Sequence, residues 1–322
     1  MNVSTKILLF SCAFISTLLL TLVAGCSGGD SPRFPEVLEI KDGDVVPILA
    51  NSELVAGQNR LVLGFIDSTG ATIVDAKVHL TFYDLNDGEE VEKFQVDAVS
   101  RVPARDAGLT EQVSHKHADG TDHAHFNVGE NVGVYTAMVN FERPGNWGVE
   151  IKLDSANPKI KTTIRPRFNV LPQGPTPPIG APAPRSRNLT AADVSDIAQI
   201  DSSAKPSVEM HTSTIADTIA AGRPSLVLFA VPGFCESRLC GPEMEIMRKL
   251  LPQYRNRVEF IHVEFYKNPG SPERVPADPV REWNLRSEPW FFLIDAKGNI
   301  AAKFEGPASL QELDEALKAV AP

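Results

Sequence analysis

Residues 226–251 read LVLFAVPGFCESRLCGPEMEIMRKLL, and this stretch decides the fold of the second half of the chain. The apolar run at its start lacks alternation, which predicts a strand buried on both faces, as in a parallel sheet. A Pro-Gly pair ends the strand. Beyond Cys240, apolar residues at helical spacing follow two early glutamates and predict a helix. Cys235 and Cys240 therefore lie on a strand-to-helix turn, where helix dipole and free N–H groups favour a thiolate.

The bulk composition is that of a soluble globular protein. A length of 322 residues predicts two domains, and 43% apolar with 22% charged residues argues against disorder and fibrous structure. The formal net charge is −10, and no cluster of lysine and arginine stands out. Because nucleic-acid binding needs a basic surface, no nucleic-acid partner is expected.

The chain begins with the pattern of a secretion signal. Lys6 precedes an apolar stretch that closes on Val23-Ala24-Gly25-Cys26. This ending resembles the lipobox of bacterial lipoproteins, whose signal peptide is cut before the cysteine and whose cysteine sulfur then carries a diacylglyceryl group. The resemblance implies a signal peptide over 1–25, lipidation at Cys26, a flexible tether over 26–35 and an extracytoplasmic, membrane-anchored location. An uncleaved transmembrane anchor is the alternative, because about 17 apolar residues approach the lower limit for a span.

The cysteine count limits any thiol chemistry of the mature chain to two residues. Of four cysteines, Cys12 leaves with the signal peptide and Cys26 is acylated, so Cys235 and Cys240 remain. The extracytoplasmic compartment often permits disulfides. A bridge across so short a loop contributes little stability, which favours a redox role over a structural one. Two buried, inert thiols are the remaining alternative.

Residues 36–171 have the pattern of β structure. Val78, Leu80 and Phe82 alternate with polar residues, as in a half-buried strand. Roughly seven short strands separated by turn signals predict an all-β, immunoglobulin-like sandwich. A Gly-x-Tyr strand and a Pro-Gly-x-Trp turn over residues 133–148 resemble the YtkA-like envelope domains. That resemblance implies nothing about function.

One loop of this predicted domain is rich in histidine. Two His-x-His pairs, His115/His117 and His123/His125, flank an Asp-Gly turn. If the loop folds back on itself, the imidazoles can converge on one copper or zinc ion. The alternative is a solvated polar loop with weak, adventitious affinity for metals.

A proline-rich segment over residues 172–192 follows. Proline favours extended polyproline II, so the segment is predicted to be a semi-rigid arm between the two domains. The second domain, residues 193–322, has the order β, dithiol turn, α, β, α, β, β, α. A short helix is also expected from Thr190 to Ala198, with Thr190 as its cap.

Residues 205–322 resemble the thioredoxin-like family, in particular its membrane-tethered envelope branch. The markers are Phe229 ahead of Cys235, Pro289 before the strand Trp290 to Ile294, the hairpin that begins at Asp295, Gly306 and the last helix. The resemblance implies an α/β thioredoxin-like fold. It also implies that Pro289 is cis and packs against the active disulfide.

The sequence departs from this family in the spacing of its thiols. The family motif is Cys-x-x-Cys, whereas four residues separate Cys235 from Cys240. In one alignment Cys235 is the nucleophile and Cys240 the resolving thiol. In the other, Cys240-Gly241-Pro242-Glu243 matches Cys-Gly-Pro-Cys with its last thiol lost, and Cys240, nearest the helix dipole, is the more acidic thiol. The distance from the strand favours Cys235 as the attacking residue.

The leading hypothesis is a membrane-tethered thiol–disulfide oxidoreductase that acts on a protein disulfide or dithiol, exchanges electrons with a redox partner and requires no cofactor. A copper-handling lipoprotein is the alternative, because Sco-type copper chaperones share this fold and a cysteine pair. Their distant downstream histidine has no counterpart here, since the last histidine, His262, lies inside a strand. A peroxiredoxin is disfavoured because Pro232 stands where that family places Thr or Ser. A non-catalytic interaction module is the fourth hypothesis.

Overall fold

The structure, a computed structural model, describes residues 33–109, 113–116, 122–126, 132–235 and 239–321. For 113–116 and 122–126 it describes the backbone alone. The predicted signal peptide, Cys26 and most of the predicted tether lie outside these residues. Within the described part of the chain, no helix combines the length and the apolar character that crossing a membrane requires.

Antiparallel strands build the first half of the described chain. They are β1 (Val46–Leu49), β2 (Gly57–Ile66), β3 (Lys77–Asp84), β4 (Val91–Arg101), β5 (Val113–Lys116), β6 (Asp122–Phe126), β7 (Val134–Phe141), β8 (Gly145–Ala156), β9 (Lys159–Ile164) and β10 (Arg167–Val170). Among the described residues, eight of them form one sheet in the order β1-β2-β7-β4-β3-β8-β10, with β9 also paired to β8. β5 and β6 pair only with each other, and a short helix, α1 (Pro103–Asp106), follows β4.

Strand β4 connects two groups of strands over one hydrophobic core. Residues 91–98 pair with β3, whereas residues 99–101 pair with β7. The core takes side chains from both groups, among them Phe65, Phe82 and Trp147, all with 0% exposure. The indole N–H of Trp147 donates to the carbonyl of Arg143 at 3.1 Å, which satisfies its polar atom. The predicted β structure is thus present, and the immunoglobulin-like arrangement stays a prediction.

The second half is a four-stranded sheet with helices. Its elements are α2 (Ile215–Ala220), β11 (Ser225–Ala230), α3 (Cys240–Tyr254), β12 (Glu259–Glu264), α4 (Asp278–Glu282), β13 (Trp290–Ile294), β14 (Ile300–Glu305) and α5 (Leu310–Val320). The strand order is β12-β11-β13-β14. β11 and β12 are parallel, and the other two pairs are antiparallel. A parallel β-α-β unit followed by an antiparallel hairpin and a helix is the thioredoxin-like fold.

Local signals account for most of these elements. Every residue of β11 is buried, as its unbroken apolar run predicts. Ser309 caps α5 in a complete capping box with Glu312, and Thr214 caps α2. The helix expected from Thr190 to Ala198 is absent: Thr190 bonds to the Asp193 side chain in a turn, and only a 3₁₀ helix, Ile197–Gln199, forms. A second 3₁₀ helix, Val208–His211, precedes α2.

The proline-rich segment packs along the last hairpin of the chain. The Gly180 N–H donates to the carbonyl of Ile300, and the Ala183 N–H donates to that of Gly298, at 2.8 and 2.9 Å. Phe34 to Pro322 form one compact unit, with no division at this segment. The segment is therefore held against β14 (Ile300–Glu305) instead of extending as an arm between two bodies.

Buried charges join the first half to the second. Arg60 of β2 donates to both carboxylate oxygens of Glu312 on α5, at 2.8 and 3.1 Å, and to the carbonyls of Glu305 and Pro307. The Arg60 side chain is only 8% exposed, and that of Glu312 is 18% exposed. Bidentate arginine–carboxylate pairs are among the stronger hydrogen-bonded ion pairs. This pair therefore fixes the position of α5 against β2.

An apolar contact reinforces the same junction. Leu239, the residue before Cys240, forms a buried cluster with Val62 of β2 and Val134 of β7. The start of α3 thus rests on two strands of the first half. Because burial of apolar surface is favourable, the first half helps to position the helix that carries the second thiol.

Replacing Arg60 by alanine should destabilise the chain by about 3 kcal/mol, because the largely buried Glu312 carboxylate loses its bidentate partner and keeps only the more distant Arg101, at 3.7 Å, as a cation. The measurement is the free energy of unfolding in urea, followed by tryptophan fluorescence.

Arg105→Ala is the matched control. Arg105 makes the same two-pronged contact, to Asp75 at 2.9 Å, but both side chains are more than half exposed. Exposed ion pairs contribute about 0–1 kcal/mol. Equal losses in the two variants would show that the Arg60 pair does not hold the two halves together.

Candidate dithiol site

The first cysteine follows a tightly packed turn at the end of β11. The Gly233 N–H donates to the hydroxyl of Ser202 at 2.9 Å. A Cβ on Gly233 would lie 2.3 Å from the carbonyl oxygen of Ser202, so no larger residue fits there without a shift of the backbone. The turn thus holds Cys235 just beyond the strand, with 7% of its surface exposed.

The second cysteine is the first residue of α3. Cys240 has no exposed surface, and residues 236–238 between the two thiols lie outside the described residues. The sulfurs of Cys235 and Cys240 and a carboxylate oxygen of Glu288 all lie within 4.8 Å of one another. The two cysteines are present as thiols, close enough to exchange a bond after a small movement.

The acidity of Cys240 differs from the expectation of a helix N-terminus. Burial raises the pKa of the Cys240 thiol well above its usual value, and the nearby Cys235 sulfur and Glu288 raise it further. Removal of a thiolate from water outweighs the attraction of the helix dipole at this position. Cys240 is therefore a protonated thiol at neutral pH, which the helix dipole alone does not predict.

Glu288 is the site residue that the sequence did not single out. Its carboxylate accepts a hydrogen bond from the Val231 N–H at 2.8 Å and lies 3.7 Å from the Cys240 sulfur. Burial and the charge of a Cys235 thiolate raise the pKa of Glu288 to about 8. The Glu288–Pro289 bond is cis, as the resemblance implies for Pro289. In the sequence, the only indication of this role is that Glu288 directly precedes Pro289, which the resemblance places beside the disulfide.

A small cavity borders Phe234, the residue before the first cysteine. It has a volume of about 250 Å³ and is lined by Phe234, Tyr266, Arg274 and the loop between β12 and α4. The Arg274 guanidinium lies 5.7 Å from the centre of the Tyr266 ring. Phe234, which directly precedes Cys235, thus borders an aromatic and cationic cavity.

The histidine-rich loop forms the β5–β6 ribbon. Its register places His115 opposite His123, so the backbone folds back. β6 also contacts α3. The side chains of His115, His123 and His125, and the whole of His117, lie outside the described residues. A copper or zinc site at this loop stays a prediction.

A second cluster of potential ligands includes neither cysteine. Donor atoms of Asp201, His211 and His262 all lie within 4.8 Å of one another, and all three residues are buried. The three are separated by up to 61 residues, so no local motif announces them. The one indication of this cluster in the sequence was a histidine, His262, among the apolar residues in the middle of strand β12.

Comparison with known proteins gives distant likenesses. No protein-family model matches this chain. No curated protein matches it. Two solved structures from Chlorobium tepidum are similar to parts of this chain. One, described as a thiol:disulfide interchange protein DsbE, is 15% identical with a TM-score of 0.32, and the match covers 45% of this chain and 99% of that one. The other is a thiol:disulfide interchange protein of the thioredoxin family, at 21% identity and a TM-score of 0.26, covering 34% and 85%. The order and directions of the strands, and not these distant likenesses, identify the thioredoxin-like fold.

A buried carboxyl on α3 makes stability depend on pH. Glu243 has no exposed surface, and only one of its oxygens has a hydrogen-bond donor among the described residues, the Ala308 N–H at 3.2 Å. Burial raises the pKa of Glu243 well above its usual value of 4.5. Above pH 4.5 the folded chain therefore holds a proton that the unfolded chain releases, so stability falls as pH rises.

Glu243→Gln should remove this loss, since an amide keeps the shape of the protonated carboxyl. The variant should be more stable than the wild type at pH 8 and nearly equal to it at pH 4. Thermal unfolding at the two pH values measures the difference. A stability difference that is the same at both pH values would show that Glu243 is ionised in the folded chain.

Proposed function

We propose that this protein is a membrane-tethered, extracytoplasmic thiol–disulfide oxidoreductase that uses Cys235 and Cys240. The observation that supports the proposal is the grouping of two thiols and the Glu288 carboxyl within 4.8 Å of one another. The location outside the cytoplasm rests on the lipobox resemblance around Cys26. The partner is a protein disulfide or dithiol.

The difference in burial supports different roles for the two thiols. Cys235 retains 7% exposure and follows the turn that borders the small cavity, whereas Cys240 has none. A nucleophile must reach its partner's sulfur, and the thiolate is the reactive form. Cys235 is therefore the attacking residue. Cys240, protonated and enclosed, is the resolving thiol.

The exchange proceeds in two balanced steps. The Cys235 thiolate attacks one sulfur of the partner disulfide; that S–S bond breaks, and the released partner sulfur leaves with the electron pair. Cys240 then gives its proton to the Glu288 carboxylate and attacks the Cys235 sulfur. The second partner sulfur leaves, and two electrons have passed to the partner. The same steps run in reverse when the partner is a dithiol.

A copper-handling role is the second candidate. Two thiolates suit Cu(I), and the carboxylate of Glu288 lies at the same point, so these three groups can hold a cation. The histidine ribbon β5–β6 lies next to α3, which begins at Cys240. Stoichiometric Cu(I) binding without disulfide turnover would favour this role over the first. Consumption of peroxide would instead favour the peroxiredoxin hypothesis.

In the full purified chain, Cys235→Ser should abolish reduction of a model disulfide, because the attacking sulfur is gone. Cys240→Ser should retain the first step and accumulate a mixed disulfide with the partner through Cys235. Turnover assays and mass spectrometry of the trapped species measure the two outcomes.

Cys12→Ser is the control, since that cysteine lies in the predicted signal peptide, and it should retain full activity. The midpoint potential of the Cys235/Cys240 couple should lie above about −300 mV, the value below which structural disulfides fall. Full turnover by Cys235→Ser, or a potential far below that limit, would contradict the proposal.

The proton acceptor can be tested separately. Glu288 is protonated below pH 8 and ionised above it, so the resolving step of the wild type should accelerate as pH rises through about 8. Glu288→Gln should slow that step by about 10²-fold and abolish the acceleration. Stopped-flow measurement of mixed-disulfide decay between pH 6 and pH 10 gives both quantities.

Glu273→Gln, an exposed carboxylate in the loop that borders the cavity, is the matched control and should keep the wild-type profile. If Glu288→Gln also keeps that profile, the Cys240 proton leaves by another route, and Glu288 has no part in the exchange.

A further inference from the structure

Three buried side chains other than the cysteines meet at the edge of the second sheet. Asp201 lies between the two 3₁₀ helices, His211 ends the second of them, and His262 is in the middle of β12. Their exposures are 0%, 1% and 0%. Nε2 of His211 lies 3.3 Å from Nδ1 of His262 and 3.5 Å from a carboxylate oxygen of Asp201. Nδ1 of His262 lies 3.9 Å from the other oxygen.

These distances lie at or beyond the long end of the hydrogen-bond range, and they match the spacing of metal ligands. N–H···O bonds are about 2.7–3.2 Å from donor to acceptor. Bonds of about 2.0–2.1 Å from a tetrahedral zinc ion place neighbouring ligand atoms about 3.3–3.4 Å apart. The 3.3 and 3.5 Å contacts match that spacing, and the 3.9 Å contact needs only a small rotation of the carboxylate.

The surroundings orient the lone pairs toward a common point. Nε2 of His262 lies 3.3 Å from the Ala230 carbonyl, so it carries the proton and leaves Nδ1 to face the cluster. The Asp201 carboxylate accepts hydrogen bonds from the Ser203 and Ser207 N–H groups at 3.0 and 2.8 Å, which hold it in place. Supporting contacts of this kind are typical of protein metal sites.

His211 is not explained by hydrogen bonding alone. Among the described residues, its buried Nδ1 has no hydrogen-bond partner. Burial of an imidazole without full hydrogen bonding is unfavourable. A bond from Nε2 to a metal ion would add a favourable interaction to the same buried ring, which its hydrogen bonds alone do not supply.

A cavity adjoins the cluster. It has a volume of about 250 Å³, and both histidines contribute to its lining together with Asn188, Glu264 and Tyr266. Three protein ligands next to a cavity leave a fourth coordination position for water or a small ligand.

We propose that Asp201, His211 and His262 bind one divalent transition-metal ion, such as Zn²⁺, with the fourth position directed to the adjoining cavity. This site is separate from the dithiol and from the histidine ribbon, and it does not depend on the proposed oxidoreductase activity. His₂–carboxylate sets of this kind bind zinc and related ions in many proteins.

The test uses the full chain in a background that lacks the other candidate ligands. Cys235 and Cys240 are replaced by serine, and His115, His117, His123 and His125 by glutamine. After removal of metals with a chelator, this chain should bind one Zn²⁺ with micromolar or tighter affinity in calorimetric titration. Adding His211→Gln or Asp201→Asn should weaken binding at least about 100-fold, more than loss of a supporting contact does.

His79→Gln is the matched control, because His79 is an exposed histidine paired with the carboxylate of Asp97 at 2.7 Å. It should leave Zn²⁺ binding unchanged. Co²⁺ bound in place of Zn²⁺ should give visible bands without a thiolate charge-transfer band.

A measurement without cluster variants covers the case in which they fail to fold. Zn²⁺ should raise the unfolding temperature of the background chain, since an ion that binds only the folded state stabilises it. No bound Zn²⁺ and no rise in unfolding temperature would overturn the proposal. Unchanged affinity in folded His211→Gln and Asp201→Asn chains would overturn it as well.

Discussion

The hydrogen bond from the Val231 N–H to the Glu288 carboxylate, 2.8 Å long, joins the two segments on which the dithiol site depends. Val231 follows β11, and Glu288 precedes the cis proline that leads into β13. Because β11 and β13 are paired, the carboxylate is held at the end of the sheet, next to the start of α3. The Cys240 sulfur therefore has an ionisable neighbour at a fixed position.

Burial from water determines the protonation states of Cys240 and Glu288. Burial raises the pKa values of both Cys240 and Glu288, so each holds a proton at neutral pH. Once Glu288 is ionised, as pH rises through about 8, its carboxylate can take the proton of the adjacent Cys240 thiol with little change in net charge. A single exposed thiol would ionise more readily but would have no adjacent group to take its proton.

The first half of the chain takes part in holding this site. Glu312 bonds to residues of both halves, because it completes the capping box of α5 and accepts two hydrogen bonds from Arg60 of β2. Leu239 packs on Val62 just before the second thiol. Ser202 accepts a hydrogen bond from Gly233 and donates one to the buried Glu264, and its neighbour Asp201 belongs to the histidine cluster. The dithiol turn and the proposed metal site are thus attached to consecutive residues.

The sequence by itself determined the features that depend on neighbours along the chain. The buried strand before Cys235, the helix that starts at Cys240, the cap at Ser309 and the importance of Pro289 follow from local patterns of hydrophobicity, turn residues and capping. Only the tertiary structure decided the acidity of Cys240, because burial, which no local pattern reports, outweighs the helix dipole. The same holds for Glu288, for the Asp201 cluster and for the packing of the proline-rich segment. In each case the deciding contact joins residues far apart in the chain, and its geometry exists only after the strands have paired.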